Sequence, residues 1–138
     1  MTWSVADRVA AELEVRNLIA RLAILADQGD LAEYGDQFTE DSVWALPGAP
    51  RHGRAEILAG AEARRAEGVT GPGTSTRHVI TNITVQVDGP EAASAESYFV
   101  FLRDTSGSPS IVNTGVYRDR FRREGRTWRM ARREITFG

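Results

Sequence analysis

The sequence predicts an α+β domain in which helices cover one face of a mostly antiparallel sheet. Helical periodicity is confined to the first half of the chain, and alternating, strand-like runs fill the second half. Helices followed by a series of strands are typical of the α+β class. The 138 residues suit one domain, spanning 1–138, and are enough to bury a hydrophobic core.

Three helices are expected in the first half. Residues 5–27 carry apolar side chains at helical spacing, and the predicted buried stripe consists of Val5, Val9, Leu13, Leu18, Leu22 and Leu25. Gly29 suits the end of this helix, and Asp30 suits the start of a short second helix at 31–38. A strand at 41–48 precedes a third helix at 54–67, which Gly68 terminates.

The second half is expected to form four long strands, at 75–87, 93–104, 110–123 and 127–137. They are rich in β-branched and aromatic residues, and segments of turn-forming residues separate them. A strongly curved sheet of this kind can enclose a pocket between itself and the helices.

Composition excludes several kinds of chemistry. The chain has no cysteine, so thiolate nucleophiles, disulfides and cysteine-based metal sites are absent. It has no lysine either, since all 17 basic residues are arginine, and a side-chain Schiff base is therefore excluded. The two histidines lack the spacing of a zinc site, and no dinucleotide-binding glycine motif is present. We expect no metal and no cofactor.

Nucleic acid and membranes are not expected as partners. The net charge is −2, and in the arginine-rich hairpin Arg118, Arg120 and Arg122 alternate with Tyr117, Asp119 and Phe121, which predicts a solvated sheet face. No signal peptide or membrane-spanning segment is recognisable, so a cytoplasmic protein is expected, and the arginine usage suggests a bacterial source.

Two polar residues stand where apolar ones are expected. His78 lies in the strand "STRHVITN", and Asp27 ends the apolar helix "LIARLAILAD". A buried carboxylate or imidazole requires a partner, so we predict that the two form a pair. Asp27 would orient the ring, and His78 would act as a general base. Alternatively, His78 is a core or surface residue and Asp27 caps the following helix.

The order of elements resembles the SnoaL-like branch of the NTF2-like superfamily over nearly the whole chain. The stretches that carry the resemblance are Asp27 before Gly29 and Asp30, then "QFTEDSVW", "HGRAEIL", "TRHVITN" and "GRTWRMARR". The resemblance implies a cone-shaped, curved antiparallel sheet with three N-terminal helices enclosing a pocket. Dehydratases and a dehydrochlorinase of this superfamily use an Asp–His pair, and Asp27 and His78 match its two positions.

The resemblance also implies an activity. It indicates a cofactor-independent lyase that carries out a dehydratase-type elimination on a small, mostly apolar cyclic molecule. Isomerisation, epoxide-type hydrolysis and a non-catalytic role in small-molecule binding or dimerisation are the alternatives. Many domains of this superfamily dimerise through the sheet, so a homodimer or higher homo-oligomer is expected.

Five further residues are predicted to bind the substrate: Tyr34, Trp44, Tyr98, Asn113 and Tyr117. Asn113 matches an asparagine of the family dehydratase in an N-T-x-x-Y context, and Trp44 matches a pocket tryptophan of the dehydrochlorinase. Tyr34 and Tyr98 could polarise a substrate oxygen through their phenols. The dehydratase has a second histidine on the following strand and a tyrosine before the helix-end aspartate. This chain has neither, since Ala26 precedes Asp27.

Overall fold

The computed structural model describes residues 2–138, and Met1 lies outside the described part. The predicted order of helix, helix, strand, helix and four strands is confirmed, with one additional two-residue strand. The elements are α1 (Val5–Gln28), α2 (Leu31–Asp36), β1 (Phe38–Ala45), β2 (Arg51–His52), α3 (Arg54–Ala66), β3 (Arg77–Val87), β4 (Ala92–Arg103), β5 (Ser110–Glu124) and β6 (Thr127–Phe137). Phe38 begins β1 and does not belong to the second helix as predicted.

The six strands form one curved, unclosed sheet in the order β2-β1-β6-β5-β4-β3. All neighbouring strands are antiparallel except β1 and β6, which run parallel. Bulges interrupt four of the strand pairs, and the one in β3 lies between Thr81 and Thr84, where Asn82 adopts a φ of 52°. Because bulges bend strands, they let the sheet curve around the helices, as the predicted cone-shaped sheet requires.

Helix α1 packs its core face against the curved sheet. A capping box between Ser4 and Asp7 begins it, and its buried apolar residues are Ala11, Val15, Leu18, Ile19, Leu22 and Leu25. The predicted stripe was wrong in its first half, since Val5, Val9 and Leu13 are 79%, 50% and 57% exposed. Apolar side chains occur on two sides of this helix, so periodicity alone could not identify the buried side.

Arginines attach the helices to neighbouring backbone carbonyls. Arg8 and Arg16 of α1 donate to the carbonyls of Val87 and Ile83 in β3, at 2.7 and 3.1 Å. Arg54, at the start of α3, donates to the Phe38 carbonyl at 3.1 Å. These bonds hold α1 along β3 and hold α3 against β1, which places both helices over the inner face of the sheet.

The outer face of the sheet carries the arginines of the β5–β6 hairpin. Arg118, Arg120 and Arg122 are exposed, whereas Tyr117, Asp119 and Phe121 between them are buried, which confirms the predicted alternation. Among residues 2–138, no helix combines the length and the apolar composition that a membrane crossing needs.

Candidate active site

Asp27 and His78 are in direct contact. The Nδ1 atom of His78 lies 2.7 Å from Oδ1 of Asp27, and the backbone amide of His78 donates to Oδ2 at 2.9 Å. Asp27 is 5% exposed, near the end of α1, and His78 is half-buried near the start of β3. An ionised carboxylate only accepts hydrogen bonds, so Nδ1 carries the proton of a neutral His78 ring.

The end of α1 is built to present Asp27 to β3. The amide of Gly29 caps the helix by donating to the Leu25 carbonyl at 2.9 Å, and a side chain at Gly29 would collide with Leu25. Arg65 of α3 donates to the carbonyls of Leu25 and Ala26, at 2.9 and 3.4 Å. Such contacts satisfy the free carbonyls of a helix end. They hold the turn that carries Asp27.

The structure contradicts the alternative in which Asp27 caps the second helix. Asp30 is the N-cap of α2, and its side chain accepts from the amide of Glu33 at 3.1 Å. Both oxygens of Asp27 instead contact His78. The other histidine, His52, lies exposed in β2, as expected for a residue outside the site.

His78 forms part of the wall of a cavity between the sheet and the helices. Its ring packs on Phe101, with the ring centres 4.4 Å apart, and no residue among 2–138 hydrogen bonds to Nε2. The cavity has a volume of about 200 Å³, and its lining is mostly apolar. This volume lies below the ~300–1,000 Å³ typical of ligand pockets, so the site suits a small molecule.

Four of the five predicted substrate-binding residues line this cavity. Tyr34 contributes from α2, Trp44 from β1, and Asn113 and Tyr117 from β5. The structure thus brings them together with His78, while their role in binding stays a prediction.

Tyr98 does not line the cavity, so its predicted place there is corrected. It is 48% exposed, whereas its neighbours Ser97 and Phe99 are buried. Successive side chains of a strand point to opposite faces, so Tyr98 lies on the outer face when Phe99 and Phe101 lie on the inner one. Strand geometry thus separates Tyr98 from Phe99 and Phe101, which do line the cavity.

An ion pair that the sequence analysis missed lies beneath the cavity. Arg133 of β6 donates twice to Asp119 of β5, at 2.8 and 2.9 Å, and the two residues are 5% and 2% exposed. The Arg133 guanidinium also lies 3.7 Å from the centre of the Tyr117 ring. Asp119 shares a strand face with Tyr117 and Phe121. A carboxylate on that aromatic face could have indicated, from the sequence alone, that Asp119 has a buried partner.

Burial keeps the phenols of the two cavity tyrosines protonated, against the charges of nearby arginines. Burial raises the pKa of Tyr117 to about 12, although Arg133 opposes the shift. Burial likewise raises the pKa of Tyr34, against the influence of Arg64, Arg133 and Arg51. Burial alone would lower the pKa of Arg133, but the charge and hydrogen bonds of Asp119 outweigh it and raise the pKa. Near neutral pH the cavity therefore holds two neutral phenols and a paired guanidinium.

No group of three or more His, Asp or Glu side chains among residues 2–138 is arranged to hold a metal ion. The chemically competent groups at the cavity are an oriented imidazole, two phenols, an amide and arginines. This set can transfer a proton and can donate hydrogen bonds to a substrate oxygen.

Solved structures similar to this chain share its fold. An NTF2-like protein with a cystatin-like fold from Novosphingobium aromaticivorans is 31% identical, covers 97% of this chain and 90% of its own, and superposes with a TM-score of 0.78. A Catenulispora acidiphila protein solved in complex with S-DNPA is 25% identical, with 94% of each chain covered and a TM-score of 0.75.

A third similar structure, also from N. aromaticivorans, is named a candidate scytalone dehydratase. It is 19% identical, with 95% of this chain and 86% of that chain covered and a TM-score of 0.77, so it shows the fold alone. No curated protein matches the chain. A family model described as SnoaL-like domain matches residues 7–134. The chain therefore belongs to the SnoaL-like domain family.

Proposed function

We propose that this protein is a cofactor-independent lyase that eliminates water from a small, mostly apolar cyclic molecule. The observation that carries the proposal is the Asp27–His78 pair, whose free Nε2 belongs to a residue of the cavity wall. A histidine that a carboxylate orients and that borders an apolar cavity is the arrangement of a general base.

In the proposed reaction, His78 Nε2 removes a proton from a carbon next to a substrate carbonyl. The electron pair of that C–H bond moves to the carbonyl oxygen and produces an enolate. The enolate then collapses to an α,β-unsaturated carbonyl compound, and the bond to the β-hydroxyl breaks. That hydroxyl takes up a proton, which the imidazolium can return, and leaves as water. Asp27 stabilises the imidazolium during the transfer, because its Oδ1 already accepts from Nδ1.

The cavity also offers donors to the developing oxyanion. The phenols of Tyr34 and Tyr117 stay protonated near neutral pH, and Asn113 adds an amide to the same lining. Donors that are already oriented stabilise charge in a water-poor site more strongly than solvent does. In the proposed mechanism, these donors hydrogen bond to the enolate oxygen.

Two alternatives use the same scaffold. An isomerase would need only the base, which returns the proton to a different carbon of the enolate, and an epoxide-type hydrolase would need a carboxylate that activates water. A purely structural dimerisation domain would fit a closed, packed interior better than a cavity lined by His78. The neighbour solved in complex with S-DNPA is in keeping with a small-molecule site.

Product analysis on three substrate classes distinguishes a lyase from an isomerase, a hydrolase and a non-catalytic carrier. Cyclic β-hydroxyketones test elimination, β,γ-unsaturated cyclic ketones test isomerisation and cyclic epoxides test hydrolysis, each followed by mass spectrometry. We expect loss of water from a β-hydroxyketone and, in D₂O, exchange of its α-proton that depends on His78. Unchanged mass would assign an isomerase, and gain of water would assign a hydrolase. Binding without conversion in all three classes would assign a carrier.

We also propose that the chain forms a homodimer through the outer face of its sheet. Val79 and Tyr98 are 36% and 48% exposed there, next to the side chains of Val100 and Val116. Exposed apolar patches of this kind commonly mark protein interfaces. Light scattering should give twice the 15.2 kDa chain mass, and Tyr98→Arg should give the monomer mass. A monomeric wild-type protein would contradict this proposal.

A further inference from the structure

Three arginines line the cavity, and they differ in what they contact. Arg133 is paired with Asp119 through two hydrogen bonds. Arg65 donates to the carbonyls of Leu25 and Ala26 at the end of α1. Both side chains therefore have structural roles that the fold itself requires.

Arg64 hydrogen bonds to neither a backbone carbonyl nor a carboxylate among residues 2–138, and its polar neighbour is the Tyr34 phenol. It is half-buried in the last turn of α3, and it forms no ion pair with any of residues 2–138, including Glu67 three positions further along the chain. The general attraction of a cation to a helix C-terminus does not explain why its side chain lines an apolar cavity. A guanidinium partly withdrawn from water is stabilised by an acidic group, and the described residues 2–138 supply none to Arg64.

We propose that the substrate carries a carboxylate, which Arg64 binds inside the cavity. The fork of donors on a guanidinium matches the two oxygens of a carboxylate, so arginine recognises this group with defined geometry. Arg64 is also close enough to the Tyr34 phenol to influence its ionisation, which places a further donor near the proposed anion. The inference rests on the proposed function only in taking this cavity as the substrate site.

The remaining lining limits the rest of the substrate. Phe99, Phe101, Ile80 and Leu22 surround an interior of about 200 Å³, which suits a hydrophobic ring. The ligand class is thus a small cyclic carboxylic acid, with its ring against the aromatic wall and its carboxylate at Arg64.

Binding of benzoate compared with neutral benzamide tests this inference. Titration of either probe is followed through the ring-proton NMR signals of His78, with exposed His52 as the internal reference. We expect benzoate to bind wild-type protein at least ~10-fold more tightly than benzamide, because charge-assisted hydrogen bonds are worth roughly 10- to 100-fold in affinity. Arg64→Gln should abolish this preference, and Arg64→Lys should keep part of it.

Arg126→Gln is the matched control, because it removes the same charge from an exposed turn at the β5–β6 hairpin and should leave the preference intact. Equal affinities for the two probes, no benzoate binding to wild-type protein, or a preference that survives Arg64→Gln would each overturn the proposal. His78→Gln, followed by calorimetry because the reporting ring is gone, should still prefer benzoate. A catalytically silent protein that keeps an Arg64-dependent preference would therefore refute the lyase function but not the carboxylate site.

Discussion

Replacing Asp119 by alanine is expected to lower the free energy of unfolding by about 3–5 kcal/mol, the usual effect of removing one partner of a buried ion pair. Asp119 is 2% exposed and accepts both hydrogen bonds from Arg133. The substitution would leave the Arg133 guanidinium buried without a counter-charge. Its contact with the Tyr117 ring would not replace two charge-assisted hydrogen bonds.

Urea denaturation measures this loss, and a second ion pair on the same strand provides the control. Arg118 of β5 pairs with Glu96 of β4 at 3.2 Å, but both side chains are about half exposed. Glu96→Ala should therefore change the unfolding free energy by less than about 1 kcal/mol. The double variant Asp119→Leu/Arg133→Met should be more stable than Asp119→Ala, since it leaves no charge unpaired. A loss below about 1 kcal/mol for Asp119→Ala would show that the pair is not needed for stability.

His78→Gln is expected to lower kcat on the substrate found by product analysis by roughly 10²–10⁴-fold, the usual contribution of a positioned general base. Glutamine retains hydrogen-bonding groups of similar size but cannot accept a proton at neutral pH. KM should change little, because the loss concerns the proton transfer and not the binding of the ring.

Asp27→Asn should also lower kcat, because asparagine cannot accept both hydrogen bonds that His78 donates. Its amide nitrogen would face either the ring N–H or the backbone N–H, and both of these are donors. His52→Gln is the matched control for His78, since it alters the only other histidine, which is exposed, and it should leave kcat unchanged. Wild-type turnover in His78→Gln would exclude the proposed mechanism.

The fold class was predictable because helical and strand periodicity are clear in the sequence. The Asp27–His78 contact was predictable because both polar residues stand in apolar surroundings. The helical periods lie in the first half of the chain and the four long strands in the second, which indicated the class. Asp27 and His78 were identified because a carboxylate on an apolar helix and an imidazole in a buried strand each require a partner. The two misfits proved to be each other's partner at 2.7 Å.

The parts that could not be predicted depend on tertiary contacts. The buried side of α1 was misassigned, because Val9 and Leu13 follow the same helical spacing as the residues that the sheet covers. The positions of Arg64 and Arg133 were not predicted, since the sequence holds 17 arginines and periodicity does not tell which ones enter a cavity. Only the packing of α3 and β6 around the interior distinguishes these two from the arginines in solvent.

The ¹⁵N NMR tautomer of His78 tests the central claim most directly, because protonated and unprotonated ring nitrogens resonate in well-separated ranges. The spectrum should contain two neutral imidazoles at alkaline pH, with exposed His52 as the reference. We predict that His78 carries its proton on Nδ1, leaving Nε2 free for the substrate, and that Asp27→Asn changes the Nδ1 signals. A proton on Nε2, or Nδ1 signals insensitive to Asp27→Asn, would contradict the assignment of His78 as an Asp27-oriented base.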